Sequence, residues 1–442
     1  MLSASHSSNK KIVNFHNSIF VRSLTRIYYN TDFYDAFKNM TLQKQSVPAL
    51  LTSILLVIGC TDKDPENIIP QPVYLVTYEQ QFIRSADQIA ALTGLAGLSS
   101  LSEYIDYDIN LYKITYKTYY LEQEVYASGL VSFPETVQAM PMLSFQHGTI
   151  TKHSEAPTED LTTYGFISSL ASAGYIFLVP DYIGFGSSSD ILHPYYHAAT
   201  TANSVRNMLI AAKELAELEG YFFNGDVFLG GYSEGGYATM ATHKSMEENP
   251  MEGFQLIASA PASGGYDVKG MQEYFFSLET YDEPYYLAYV ALSYSFTYDW
   301  PDILGDLFRE PYASAIPGLF DGTFSGGDIN RNLTNVIEDL IQPDLLLNID
   351  TDAGYAYIVD AFVENSLHDW VPMIPMYLYH GTEDITVPYQ NSTEAYEHML
   401  DLGASPEIVK LIPLEGATHG TGAIPYMVDI IEKFDALKSI NQ

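Results

Sequence analysis

The chain has 442 residues, and 20 Lys+Arg against 55 Asp+Glu give it a formal net charge of −35. So acidic a chain repels phosphate backbones, which excludes nucleic acid as a partner. A single cysteine excludes an intrachain disulfide framework and a multi-cysteine zinc site, while 47% apolar and 14% aromatic residues suffice for one large core or a few smaller ones.

The first 59 residues carry six basic side chains (Lys10, Lys11, Arg22, Arg26, Lys38, Lys44) and two acids (Asp32, Asp35), so a basic head precedes an acidic body. Within that head, residues 47–59 (VPALLTSILLVIG) form an uncharged run that ends at Cys60. The run is shorter than the roughly 20 apolar residues a bilayer span needs, and it fits the h-region of a signal peptide. Val57-Ile58-Gly59-Cys60 resembles a bacterial lipobox, which implies cleavage before Cys60 and lipidation of its thiol. Met40 stands at signal-peptide distance from the apolar run. Residues 1–39 are therefore expected to be an upstream extension, 40–59 a lipoprotein signal peptide and 60–72 an acidic tether. The expected product is exported and held to the membrane by an N-terminal lipid. Thr61-Asp62-Lys63-Asp64-Pro65-Glu66 resembles the acidic signals that direct some lipoproteins to the outer face of the outer membrane.

From about Val73 the pattern becomes regular. Residues 109–120 and 124–133 alternate and are rich in β-branched and aromatic side chains, as paired strands are. Short apolar runs at 141–145, 175–179, 227–230, 256–259, 376–379 and 408–412 read as buried strands. Helical spacing appears at 162–173, 198–218, 235–246 and 424–437. Strands alternating with helices predict an α/β fold with a mostly parallel central sheet covered on both faces. The long stretch 265–370 breaks the alternation and is dense in Tyr, Phe and Trp, so it is expected to be a helical cap inserted between a first core part (73–264) and a second (371–442).

Gly231-Tyr232-Ser233-Glu234-Gly235 matches G-x-S-x-G between an apolar strand and a helical segment. That strand–turn–helix context is the one a nucleophile elbow needs, and flanking glycines let the strained turn close. A serine hydroxyl needs a base, and the base needs an orienting acid. Downstream, His380-Gly381-Thr382-Glu383-Asp384 leads to Val387-Pro388 and offers Asp384 as the acid, with Glu383 as its competitor. His419, flanked by small residues after the last strand, is the candidate base, expected in a loop. The order Ser…Asp…His is that of α/β-hydrolases. Backbone N–H groups for an oxyanion are expected from Glu234 and from Thr149, with Gly148 as the alternative, in the His147-Gly148-Thr149 loop. His147 is read as a buttress of that loop.

These residues resemble the α/β-hydrolase superfamily over about residues 73–442. Pro180-Asp181-Tyr182-Ile183-Gly184-Phe185-Gly186 followed by His193-Pro194-Tyr195 is similar to a signature of secretory-lipase-like bacterial esterases. The resemblance implies a helical cap and carboxylic ester hydrolysis without metal or cofactor. Asp181 and His193 are offered as pocket residues, against structural roles in a tight loop. The expected substrate is a small-molecule, lipid or acyl-carbohydrate ester. Two rivals stand beside this reading: a serine exopeptidase with the same site, and a non-catalytic surface binding lipoprotein.

Overall fold

The computed structural model describes residues 72–300 and 302–440. The expected upstream extension, signal peptide, Cys60 and nearly all of the 60–72 tether lie outside those residues. Nine strands form one sheet: β1 (Leu75–Arg84), β2 (Ile109–Tyr120), β3 (Gln123–Pro134), β4 (Met140–Gln146), β5 (Ile176–Pro180), β6 (Phe223–Tyr232), β7 (Gln255–Ala262), β8 (Met376–Gly381) and β9 (Val409–Leu414). Their order is β1-β2-β3-β5-β4-β6-β7-β8-β9. The first three strands and the β3–β5 contact are antiparallel, and every pair from β5 to β9 is parallel. This is the α/β-hydrolase fold.

Burial follows the sequence pattern. Strands β4 and β5 lie in the middle of the sheet and are buried on both faces, which is why they read as unbroken apolar runs. In β2, Tyr112, Ile114 and Tyr116 point one way and are fully packed, while Lys113 and Thr115 on the opposite face are only half-buried. Strand β1 escaped the sequence reading because it is an edge strand, largely exposed, and carries the polar string Glu-Gln-Gln. Its entry is held by the Glu214 carboxylate, which accepts the N–H groups of Val73, Tyr74 and Leu75 at 2.7–3.2 Å.

Helices α1 (Ala86–Leu95), α2 (Ala198–Glu219), α3 (Glu234–Glu248), α4 (Val268–Ser277), α5 (Tyr285–Thr297), α6 (Ala356–Glu364), α7 (Tyr389–Asp401) and α8 (His419–Ile440) carry most of the remaining order. One face of the sheet packs against α8, α1 and the 168–173 turn through Ile89, Phe177, Phe228, Ile430 and Phe434. The other packs against α2 through Ile114, Leu178, Met208, Leu209 and Leu215. The stretch expected as a helix at 162–173 is α-helical only over Thr163–Ile167 and then tightens into a 3-10 helix, Ser168–Ala173, which stops at Gly174 in the left-handed region (φ 81). Helix α8 begins earlier than the expected 424, with Pro425 inside it. The segment between β7 and β8 is helical, holding α4, α5, α6 and several shorter helices. Among the described residues no helix is long and apolar enough to cross a membrane.

Candidate active site

Ser233 is the single residue between the end of β6 and the start of α3, and its backbone takes φ 62, ψ −124. A non-glycine residue at positive φ is strained and needs its surroundings to hold it. Here the neighbours leave no room for relaxation. A Cβ on Gly231 would stand 2.3 Å from the Gly235 carbonyl oxygen, and one on Gly235 would stand 2.0 Å from that of Gln146. A Cβ on Gly236 would be 2.2 Å from the Ala262 carbonyl. The glycines let the turn wedge between the ends of β4 and β7, and Ser233 N–H donates to Ala262 O at 2.8 Å.

The turn delivers the serine to an imidazole. Ser233 Oγ lies 2.9 Å from His419 Nε2, and His419 Nδ1 lies 2.6 Å from Asp384 Oδ2. A carboxylate only accepts, so Nδ1 carries the proton and Nε2 is left to accept from the serine hydroxyl. His419 does not sit in a loop, as expected, but is the first residue of α8. Its carbonyl accepts from Tyr232 Oη at 2.8 Å, which fixes that helix start to the end of β6. Asp384 follows β8, buried, while Glu383 beside it is exposed. Thr386 and Val387 N–H donate to Asp384 Oδ1 at 3.0 and 3.1 Å. Burial alone would raise the Asp384 carboxyl; the charge of His419 and hydrogen bonds from His380 and His419 outweigh it and lower the carboxyl to about 2.

His380 is a residue of the site to which the sequence reading gave no role, although it stands in the His-Gly step of the quoted motif. It is fully buried, its Nε2 donates to Val387 O at 2.9 Å and stands 3.3 Å from Asp384 Oδ2, and its Nδ1 meets Ser392 Oγ at 2.6 Å. It holds the acid loop against α7.

The loop after β4 runs beside the elbow. Thr149 Oγ1 bonds Tyr195 Oη at 3.0 Å, Tyr182 Oη donates to His147 O at 3.0 Å, and His147 Nδ1 donates to Gly148 O at 2.7 Å. Burial lowers the His147 pKa, which keeps the ring neutral. The Glu234 N–H is at the first position of α3, where a helix offers no acceptor.

Asp181 and His193 are not pocket residues. Asp181 is wholly buried and accepts from Ser128 Oγ, Thr158 N and Thr158 Oγ1 at 2.5–2.9 Å, tying β3 to two loops. His193 is buried and bonded through both ring nitrogens. The cavity over Ser233 lies elsewhere. It lies between the sheet and the inserted helices, and runs from Ser233 past Phe275, Tyr286, Tyr294, Leu345 and Phe362. Among the described residues no Asp, Glu, Lys, Arg or His lines it, and Gln272 is the one amide that does. The aromatic run of the insertion therefore divides: Tyr285 and Tyr289 pack in the core, Tyr286 and Trp300 face the cavity, and Phe296 is exposed. Among the described residues no three His, Cys, Asp or Glu side chains are grouped to hold a metal ion.

With that geometry in place, the class is defined: the chain is an α/β-fold hydrolase of the serine type. A model of the prolyl oligopeptidase family matches residues 163–271, the stretch around the elbow. The chain is similar to a protein from Legionella pneumophila described as a putative hydrolase, with 28% identity and a TM-score of 0.74 over 82% of this chain and 98% of the other. It is also similar in fold to the rice cell wall degrading esterase LipA from Xanthomonas oryzae (24% identity, TM-score 0.72, 83% and 97% covered). Candida antarctica lipase A in its closed state shares the fold at 15% identity and a TM-score of 0.58, over 81% and 82%. No curated protein matches the chain.

Proposed function

We propose that the protein is a serine esterase that takes esters of long apolar acyl chains. The observation that carries this reading is the cavity, whose apolar and aromatic wall leads from Ser233 with no charged side chain among the described lining residues. An acyl chain gains from such a wall, at roughly 0.8 kcal/mol for each buried methylene. A peptide terminus brought there would lose its water and find no counter-charge. The prolyl oligopeptidase match keeps an exopeptidase as the second reading.

In the proposed reaction His419 Nε2 takes the Ser233 proton as Oγ attacks the ester carbonyl. Asp384 holds the ring and balances its charge, and the N–H groups of Thr149 and Glu234 stabilise the oxyanion. His419 then protonates the leaving alcohol, and water attacks the acyl-enzyme to release the acid. We further propose that the chain is exported and anchored by a lipid on Cys60. Radiolabelled palmitate incorporated by the wild type and absent from Cys60→Ala supports the anchor; label retained in that variant overturns it.

The test of function is hydrolysis of p-nitrophenyl esters from acetate to palmitate beside Ser233→Ala. Loss of about 10⁴-fold or more in kcat/KM in the variant is the expected result, with the wild-type optimum at the long chains. Turnover of aminoacyl anilides with none of any ester would shift the reading to the exopeptidase.

A further inference from the structure

His193 occupies a buried position that the reaction above does not use. Its Nδ1 lies 2.6 Å from the Ile183 carbonyl and its Nε2 lies 2.7 Å from Glu234 Oε1, with both side chains 3% exposed. The carbonyl can only accept, so Nδ1 bears a proton; one further proton is shared between Nε2 and the carboxyl. Four rings surround the imidazole, with centroids at 5.9 Å (Tyr182), 5.2 Å (Phe185), 6.0 Å (Tyr195) and 5.8 Å (Tyr289). Its backbone is fixed as well: a Cβ on Gly184 (φ +100) would fall 2.5 Å from His193 Cα, so the loop closes on the histidine without slack.

One partner of this ring, Glu234, is assigned to the oxyanion, and a second neighbour, Tyr195, bonds the other assigned residue, Thr149. Glu234, whose carboxyl meets Nε2, is the residue whose N–H opens α3 next to Ser233. Tyr195, which stands against the ring, bonds Thr149 Oγ1 through its hydroxyl at 3.0 Å. One buried imidazole thus touches the side-chain supports of both N–H donors, one in the loop after β4 and one at the start of α3. Donors that do not reorganise during reaction are what makes an oxyanion site effective.

We propose that His193 is a positioning residue that sets the spacing of the Thr149 and Glu234 N–H groups, acting through the Glu234 carboxyl and through Tyr195. The inference rests on Ser233 as nucleophile, and not on which acyl group it carries. His193→Ala, Glu234→Ala, Glu234→Gln and Tyr195→Phe are compared with wild type by kcat, KM, inhibition by an alkyl trifluoromethyl ketone and the rate of Ser233 labelling by a fluorophosphonate. In His193→Ala and Glu234→Ala, kcat is expected to fall by about the worth of one oxyanion donor, roughly 10²-fold, with KM held within about twofold and ketone affinity falling in step with kcat. Glu234→Gln, whose amide can donate to Nε2, recovers most of that loss. Tyr195→Phe, which removes only the bond to Thr149, loses about fivefold in kcat with the same signature.

Glu234→Ala with kcat within about threefold of wild type overturns the proposal. So does KM that rises as far as kcat falls, or Glu234→Gln as impaired as Glu234→Ala. Should His193→Ala fail to fold, the Glu234 pair and Tyr195→Phe decide alone. If the wild type cleaves no ester yet reacts with the fluorophosphonate, the substrate reading fails while the labelling rates still test the positioning role.

Discussion

Asp384 is gripped by two imidazoles and two backbone N–H groups at once, and each contact favours the ionised form. Its carboxyl, lowered from the ordinary 3.8 to about 2, contributes roughly 2 kcal/mol of stability above the unfolded value, lost as pH falls through about 2. His197, at the start of α2, titrates earlier. Burial lowers it from 6.5 to about 4, so the fold binds its proton later than the unfolded chain does. About 3 kcal/mol is therefore present above pH 6.5 and is lost as pH falls toward 4. Urea unfolding at a series of pH values should show two acid slopes, one between about 6.5 and 4 and one between about 4 and 2. His197→Asn should reduce the first, leaving the part that buried His147 contributes, and leave the second. Ser233, Asp384 and His419 could be picked out from short motifs because a nucleophile, its base and the acid each need a particular local turn. His380 and the His193–Glu234 contact were not legible, since their meaning lies in partners on other elements.

At the scale of elements, the junction of β4, β6, β7 and α3 is the tightest in the site. Gly235→Ala drives a methyl to 2.0 Å from a main-chain oxygen that cannot swing away, so it should cost about 3 kcal/mol or more. Gly305, in the short Leu304–Leu307 helix with nothing within 4 Å of its Cβ position, is the control: Ala there should be neutral or stabilising by about 0.5 kcal/mol. Denaturant midpoints of the two variants measure the contrast. Central strands announced themselves by unbroken apolar runs, because burial on both faces demands them. Edge strand β1 did not, because one neighbour and a wet face accept Glu-Gln-Gln. The start of α8 was hidden by Pro425 and a string of small residues, where propensity opposed what the bond from Tyr232 imposes.

For the whole molecule, the insertion between β7 and β8 supplies most of the cavity wall. Its helices were expected from length and composition, but which of its rings face a cavity was not legible, because that depends on how α4, α5 and α6 stack. Ala291, small and in the wall, is the place to shorten the cavity. Ala291→Trp should lower kcat/KM for the palmitate ester by about tenfold or more and leave the acetate ester within about twofold, read from the same p-nitrophenyl series.

Chain order adds a constraint of time. Ser233 and the histidine it meets are 186 positions apart, and the histidine opens the final helix of the fold. During synthesis the whole insertion and two further strands must be made before the nucleophile gains its base. The base thus arrives after the cavity walls have been made. The full chain carrying His419→Ala should keep the elbow and cap yet stay nearly inert to fluorophosphonate. The site is assembled only once α8 has docked, so reaction with fluorophosphonate reports that this helix has been made and packed.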